Sequence, residues 1–225
     1  LFTPETAGTY EIGYHVTVAD EEETLTYHEI LNLVVAEVST GTKLASDGKS
    51  EYAIVIPTEA GTYIQFAAAE LQNLFREATG VELPIFTESN IGFTRGSKCI
   101  SIGDTKLQKA CGVTCDYATF KESGARLFTE GNSVILTGAS DEGALYAVYD
   151  FLKVLFDYEF YDEDAYTLIK KSDVSLPALD MADIPDLDYR MFGDYQQYDR
   201  AGGSQEHAFR LRYKTYGQGY AIDGH

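Results

Sequence analysis

Two stretches of the chain repeat apolar residues at helical spacing. In residues 63–79 the apolar set is Phe66, Ala67, Leu71, Leu74, Phe75 and Ala78; in 140–156 it is Ala144, Leu145, Val148, Phe151, Leu152 and Leu155. Thr62 and Gln65 are spaced as a capping box for the first helix, and Gly80 is placed to end it. Ser140 is a good N-cap for the second, and Asp141 and Glu142 put negative charge on its first turn. Between and around the helices lie short apolar runs of strand length: 52–57, 83–87, 99–103, 125–130, 133–137 and 158–161. The runs at 125–130 and 133–137 meet at Gly131-Asn132, a pair that favours a tight hairpin. The order is strand, helix, strand, strand, hairpin, helix, strand. It predicts an α+β fold, a two-layer α/β sandwich in which the two main helices pack on one face of a mixed sheet.

The first forty residues follow a different period. Tyr10, Ile12, Tyr14, Val16 and Val18 alternate with polar or small residues, and Leu31, Leu33 and Val35 continue a second strand after the acidic turn Asp20-Glu21-Glu22-Glu23. The run from Thr3 to Ile12 resembles the final hairpin of bacterial immunoglobulin-like repeats. A lone hairpin is at best marginally stable, so the chain reads as a piece of a longer protein. Val38 to Ser50, rich in Ser, Thr and Gly, reads as a linker. Leu168 to Lys171 and Val174 to Pro177 read as edge strands, and a boundary falls near Pro177 to Pro185. The organisation expected is a β module over 1–40, an α/β domain over 41–180, and a linker with the first element of a barrel over 181–225.

Residues from about 50 to 190 resemble the small α/β domain that precedes the catalytic barrel in α-glucuronidases, in β-N-acetylhexosaminidases and in a related bacterial family of unassigned function. The matching residues are Ala67-Ala68-Ala69-Glu70-Leu71-Gln72, Thr79-Gly80-Val81-Glu82-Leu83-Pro84, Ile102-Gly103-Asp104 and the run from Thr137 to Val148. Pro185-Asp186-Leu187-Asp188-Tyr189-Arg190 resembles the approach to the first barrel strand of these enzymes, with Met191 where a Gly is usual. The resemblance implies a non-catalytic accessory portion of a secreted or cell-surface glycoside hydrolase. The catalytic carboxylates of such enzymes lie on later barrel strands, so it implies no catalytic residue here and no turnover by this segment alone. It implies a substrate-binding role for Arg190, and as partner the C-terminal barrel of the same parent chain.

Composition narrows the partners. The 225 residues carry 36 Asp and Glu against 17 Lys and Arg, a formal net charge of -19, which argues against nucleic acid. No run approaches the roughly 20 apolar residues of a membrane helix. The three cysteines, Cys99, Cys111 and Cys115, form no even framework; they read as free thiols, or as a Cys111–Cys115 disulfide with one thiol over. Gly138-x-x-x-x-Gly143 lies at a strand-to-helix turn but lacks the Lys-Ser/Thr of a phosphate loop, and it reads as a tight start to a helix. The acidic groups at 20–23 and at Asp157, Asp162, Glu163 and Asp164 lack calcium-loop spacing and read as solvated loops. No metal and no cofactor is expected.

The last forty residues are rich in sugar-site chemistry. Tyr189, Phe192, Tyr195, Tyr198, Phe209, Tyr213, Tyr216 and Tyr220 interleave with Arg190, Asp194, Arg200, Arg210 and Arg212. Aromatic faces stack on sugar rings and Arg forks bind hydroxyls or carboxylates, or these residues are barrel core with solvated charges. Arg190, Asp194 and Tyr195 are the candidate substrate-binding residues, and a poly- or oligosaccharide is a candidate partner. A stand-alone carbohydrate-binding or adhesion module is the alternative. Without further barrel strands, the aromatics of 189–225 are expected to form an exposed apolar patch that drives self-association or leaves the segment partly disordered.

Overall fold

The computed structural model describes residues 8–19, 24–35, 38–89, 92–162 and 165–186, together with Arg212 and Lys214; over 8–40 it describes the backbone. Strands β1 (Gly8–Ala19) and β2 (Thr24–Val35) pair antiparallel along their full length. The register sets Tyr10 opposite Leu33, Ile12 opposite Leu31 and Val18 opposite Leu25, which gathers the apolar positions on one face. Among the described residues these strands pair only with each other.

The remaining elements are β3 (Val38–Ala45), β4 (Ala53–Ile56), α1 (Thr62–Thr79), β5 (Ile85–Thr87), β6 (Cys99–Ile102), α2 (Lys106–Ala110), α3 (Tyr117–Phe120), β7 (Ala125–Glu130), β8 (Ser133–Gly138), α4 (Asp141–Phe156), β9 (Glu159–Asp162), β10 (Ala165–Thr167), β11 (Val174–Pro177) and β12 (Asp180–Asp183). A six-stranded sheet runs in the order β12-β7-β8-β6-β4-β5. Strands β4, β5, β6 and β8 are mutually parallel, whereas β7 is antiparallel to β8 and to β12, so the sheet is mixed.

Strand alternation decides which residues face the helices. Ile54, Ile56, Ile100, Ile102, Val134 and Leu136 join one core with Ala67, Leu71 and Phe75 of α1 and Leu145, Val148 and Leu152 of α4. Val55, Cys99 and Ile135 point to the other face, where Leu107 and Val113 cover them. Both long helices therefore lie on one face, and α2 with its following loop partly closes the other. Phe75 and Phe156 lock the helices together edge to face, with ring centroids 5.6 Å apart.

The helix ends divide between expectation and correction. Ser140 accepts a hydrogen bond from Gly143 N at 3.0 Å, the cap that the sequence predicts, and Gly80 closes α1 with φ 78°. The Thr62–Gln65 capping box does not form. Gly61 takes the N-cap place, Thr62 is the first helical residue, and Gln65 Nε2 donates to Ala60 O at 2.8 Å instead. At the far end of α4, Asp157 adopts the left-handed conformation with φ 52°, which suits glycine or asparagine better and sets a carboxylate at the negative end of the helix. Asp157→Asn should raise stability by about 0.5 kcal/mol, read as a higher urea midpoint; a lower midpoint would show that the carboxylate is serving the fold.

Three segment readings are corrected. Val38 to Ser50 begins as strand β3, paired antiparallel with β11, with Leu44 and Ala45 fully buried; Val and Thr favour the pleated surface that β11 offers. Leu168 to Lys171 is not a strand, because its N–H groups serve helix ends: Ile169 N donates to Phe156 O at 2.7 Å and Lys171 N to Ala78 O at 2.9 Å. Asp180–Asp183, placed in a boundary by the sequence, adds to β7 as the edge of the main sheet.

Candidate functional site

The polar feature that stands out on the helix layer is a carboxylate inside an apolar stripe. Glu70 sits on α1 between Ala67 and Leu74 and is only 6% exposed. Arg212 grips it with both arms of its fork, Nε to Oε2 at 2.8 Å and Nη2 to Oε1 at 2.9 Å, and the Tyr149 hydroxyl of α4 donates to Oε2 at 3.1 Å. The Arg212 guanidinium also lies over the Phe160 ring of β9, 5.4 Å from its centroid. Tyr149 stacks on Tyr158 at 6.1 Å, and Tyr166 tilts against Tyr158 at 6.0 Å while its hydroxyl donates to Glu77. Two residues beyond Arg212, Lys214 pairs with Asp150 of α4 and, at 3.1 Å, with Asp183 at the end of β12. Tyr149, Tyr158, Phe160, Arg212, Asp150, Asp183 and Lys214 line a cleft of about 450 Å³ together with Lys153, Glu159 and Tyr161, beside the buried Glu70.

Burial and the neighbouring Glu70 carboxylate push the Tyr149 hydroxyl well above its usual range, so it stays protonated and donates. Burial likewise raises Asp150, against the pull of Lys214. The hydrogen bonds that Arg212 donates to Glu70 raise the guanidinium further. Glu70 carries a guanidinium fork and a phenol on its two oxygens, an arrangement that leaves it poorly placed to attack an anomeric carbon or activate a water.

The sequence missed this cluster. A charge at position 70 inside the Ala67, Leu71, Leu74 stripe was the available signal, and Arg212-x-Lys214 was its complement. Arg212, offered with the sugar-binding residues, is instead taken up by a carboxylate of the same chain. Arg190, Asp194 and Tyr195 lie outside the described residues, as do the acidic turn at 20–23 and the expected apolar patch of 189–225 apart from Arg212 and Lys214.

Other candidates resolve into structure. All three cysteines are unbonded, so the disulfide alternative does not hold. Burial pushes Cys99 and Cys115 up to about 11 and raises Cys111, the opposite of an activated thiol. At the Gly138–Gly143 turn, a Cβ on Gly143 would lie 2.3 Å from Gly124 O and one on Gly138 would lie 2.6 Å from the same oxygen. The glycines serve backbone packing. Among the described residues no group of three or more His, Cys, Asp or Glu could hold a metal, and no helix is long and apolar enough to cross a membrane.

Glu142 on the first turn of α4 is a buried acid whose protonation follows pH. It is 4% exposed and accepts from the Tyr146 hydroxyl at 2.5 Å. Burial drives its pKa up to about 7, the Tyr146 bond opposes this, and the Glu122 carboxylate adds to it. The folded state therefore holds a proton that the unfolded chain releases near 4.5. The stability this gives is complete below about pH 4.5 and disappears as pH rises through about 7. Glu142→Gln should match the parent at pH 4 and exceed it by about 2 kcal/mol at pH 8 in denaturant titrations. A difference that does not vary with pH would contradict the assignment.

No protein family model matches the chain. Over 114 residues, 51% of the chain, it is 27% identical to a probable alpha-glucuronidase A of Aspergillus terreus, of which the match spans 13%. Among solved structures, it is similar to a family GH115 4-O-methyl-alpha-glucuronidase with specificity for decorated arabinogalactans (13% identity, TM-score 0.49, 77% of this chain and 25% of that one). It is also similar to the Flavobacterium johnsoniae chitobiase (15%, 0.39, 69% and 20%) and to the GH20 beta-N-acetylhexosaminidase of Streptomyces coelicolor (16%, 0.37, 69% and 26%). All three TM-scores fall short of 0.5. The chain thus spans about an eighth of its curated relative and a quarter or less, or just over a quarter, of these enzymes.

Proposed function

We propose that the chain is a non-catalytic accessory portion of a larger glycoside hydrolase, in which the α/β module supports the domain that follows it. The observation that carries the reading is the 27% identity over half the chain to a probable alpha-glucuronidase. The site agrees with it, because Glu70 and Asp150 of the helix layer are paired with Arg212 and Lys214. On this reading the β1–β2 hairpin belongs to an immunoglobulin-like module, residues beyond 186 lead into a barrel, and the parent is secreted or displayed at the cell surface. Sugar contact, if the segment makes any, falls to Arg190, Asp194 and Tyr195.

The isolated chain should show no turnover of aryl glycosides or uronosyl oligosaccharides, and the full-length parent should hydrolyse at least one of them. Sustained hydrolysis by the chain alone, abolished by a point mutation within it, would overturn the proposal. The alternative of a stand-alone binding module predicts hits on a glycan array with the same chain, and an array without hits removes it.

A further inference from the structure

The 225 residues include 4 histidines, and two of these meet in one ladder. The register of β1 and β2 sets His15 directly opposite His28. Strand alternation places the pair on the same face as Glu11, Asn32, Thr17 and Thr26, while Tyr10, Ile12, Val16, Leu25, Leu31 and Leu33 share the other face. The second face has the composition of a core, and two imidazoles at one register position of the first have no counterpart elsewhere in the ladder. Residues directly opposed in an antiparallel pair have Cβ atoms about 4.5–5.5 Å apart. Two imidazoles at that spacing suit one ion held by Zn–N bonds of about 2.0–2.1 Å. Neutral imidazole is the commonest protein ligand of such ions, and it prefers zinc, copper and nickel to the hard cations magnesium and calcium.

We propose that His15 and His28 form a site for a divalent transition-metal ion of the zinc type, one ligand from each strand, and that the ion cross-links β1 to β2. The neighbouring positions on the same face hold Gly13, Thr17, Thr26 and Ile30, none of which supplies a strong ligand, so water completes the coordination. Among the described residues the two strands pair only with each other, and a two-stranded ladder by itself is marginally stable. An ion that binds the paired strands and not the unpaired chain stabilises the pairing by mass action. The formal net charge of -19 draws cations of every kind toward the chain, whereas the histidine pair selects among them. The site is independent of any hydrolase activity of the parent.

Titration of the full chain with zinc chloride, followed by calorimetry and by hydrogen exchange, tests the site. Zinc should bind and should slow exchange about tenfold or more in peptides covering 8–19 and 24–35. His15→Gln and His28→Gln should each weaken binding about tenfold or more, and His28→Cys, which restores a ligand, should recover most of it. Thr17→Gln with Thr26→Gln puts the same side chains at the neighbouring pair on that face and should leave zinc affinity within about twofold of the parent. If the glutamine variants also speed metal-free exchange in the two strands, His28→Cys decides: zinc binding regained supports the site, and zinc binding lost overturns it. A parent chain that binds no zinc would overturn the site. So would binding that survives loss of both histidines, which would assign the ion to Cys111, Cys115 or the acidic surface. Magnesium chloride that slowed the two strands as much as zinc would overturn it as well, because screening of the net charge would then be the cause.

Discussion

Alanine at position 143 is expected to destabilise the module by about 3 kcal/mol. Gly143 lies in the first turn of α4, where glycine to alanine ordinarily gains up to about 1 kcal/mol of helix propensity. The sign reverses here because the new Cβ would fall 2.3 Å from Gly124 O and 3.2 Å from Gly138 Cα. Both are backbone atoms, and neither can swing aside as a side-chain tip would. Relief requires α4 to move off β8, which strains the Ser140 cap and the bond from the Ser140 hydroxyl to Glu122 O at 2.5 Å. Urea titration followed by far-UV circular dichroism measures the loss. A variant as stable as the parent would mean that the helix start is looser than these distances.

Phe156→Ala should cost a similar amount, about 3–5 kcal/mol. The ring is fully buried on the last turn of α4 and meets Phe75 of α1 edge to face. Its removal leaves a cavity that the two helices cannot collapse without shifting against each other. Phe156→Leu, which restores most of the volume, should recover more than half of the stability. If Phe156→Ala proved nearly neutral, the α1–α4 interface would have to be held elsewhere.

The helix interior faces were legible because a 3.6-residue period is written directly into positions such as Leu71, Leu74 and Phe75, whatever they pack against. The Gly131-Asn132 hairpin and the Ser140 cap were legible for the same reason: the hydrogen bonds are made within a few residues. The Thr62–Gln65 box failed although it too is local, because Gly61 could start the helix one residue earlier and Gln65 found Ala60 O. Leu168 to Lys171 looked like a strand, yet its N–H groups went to carbonyls at Ala78 and Phe156 that are distant in sequence. Nothing in those four residues encodes such partners.

Sequence alone determined the α+β class, both long helices, the core strands of the main sheet and the acidic balance, all of which follow from periodicity, composition and nearest-neighbour bonding. Tertiary structure decided the rest. It paired β3 with β11 across more than a hundred residues, and it made the sheet edge from β12. It also gave Glu70, a charge misplaced on an apolar stripe, its partner, because a buried carboxylate is tolerable only with a cation beside it and Arg212 is 142 positions away along the chain.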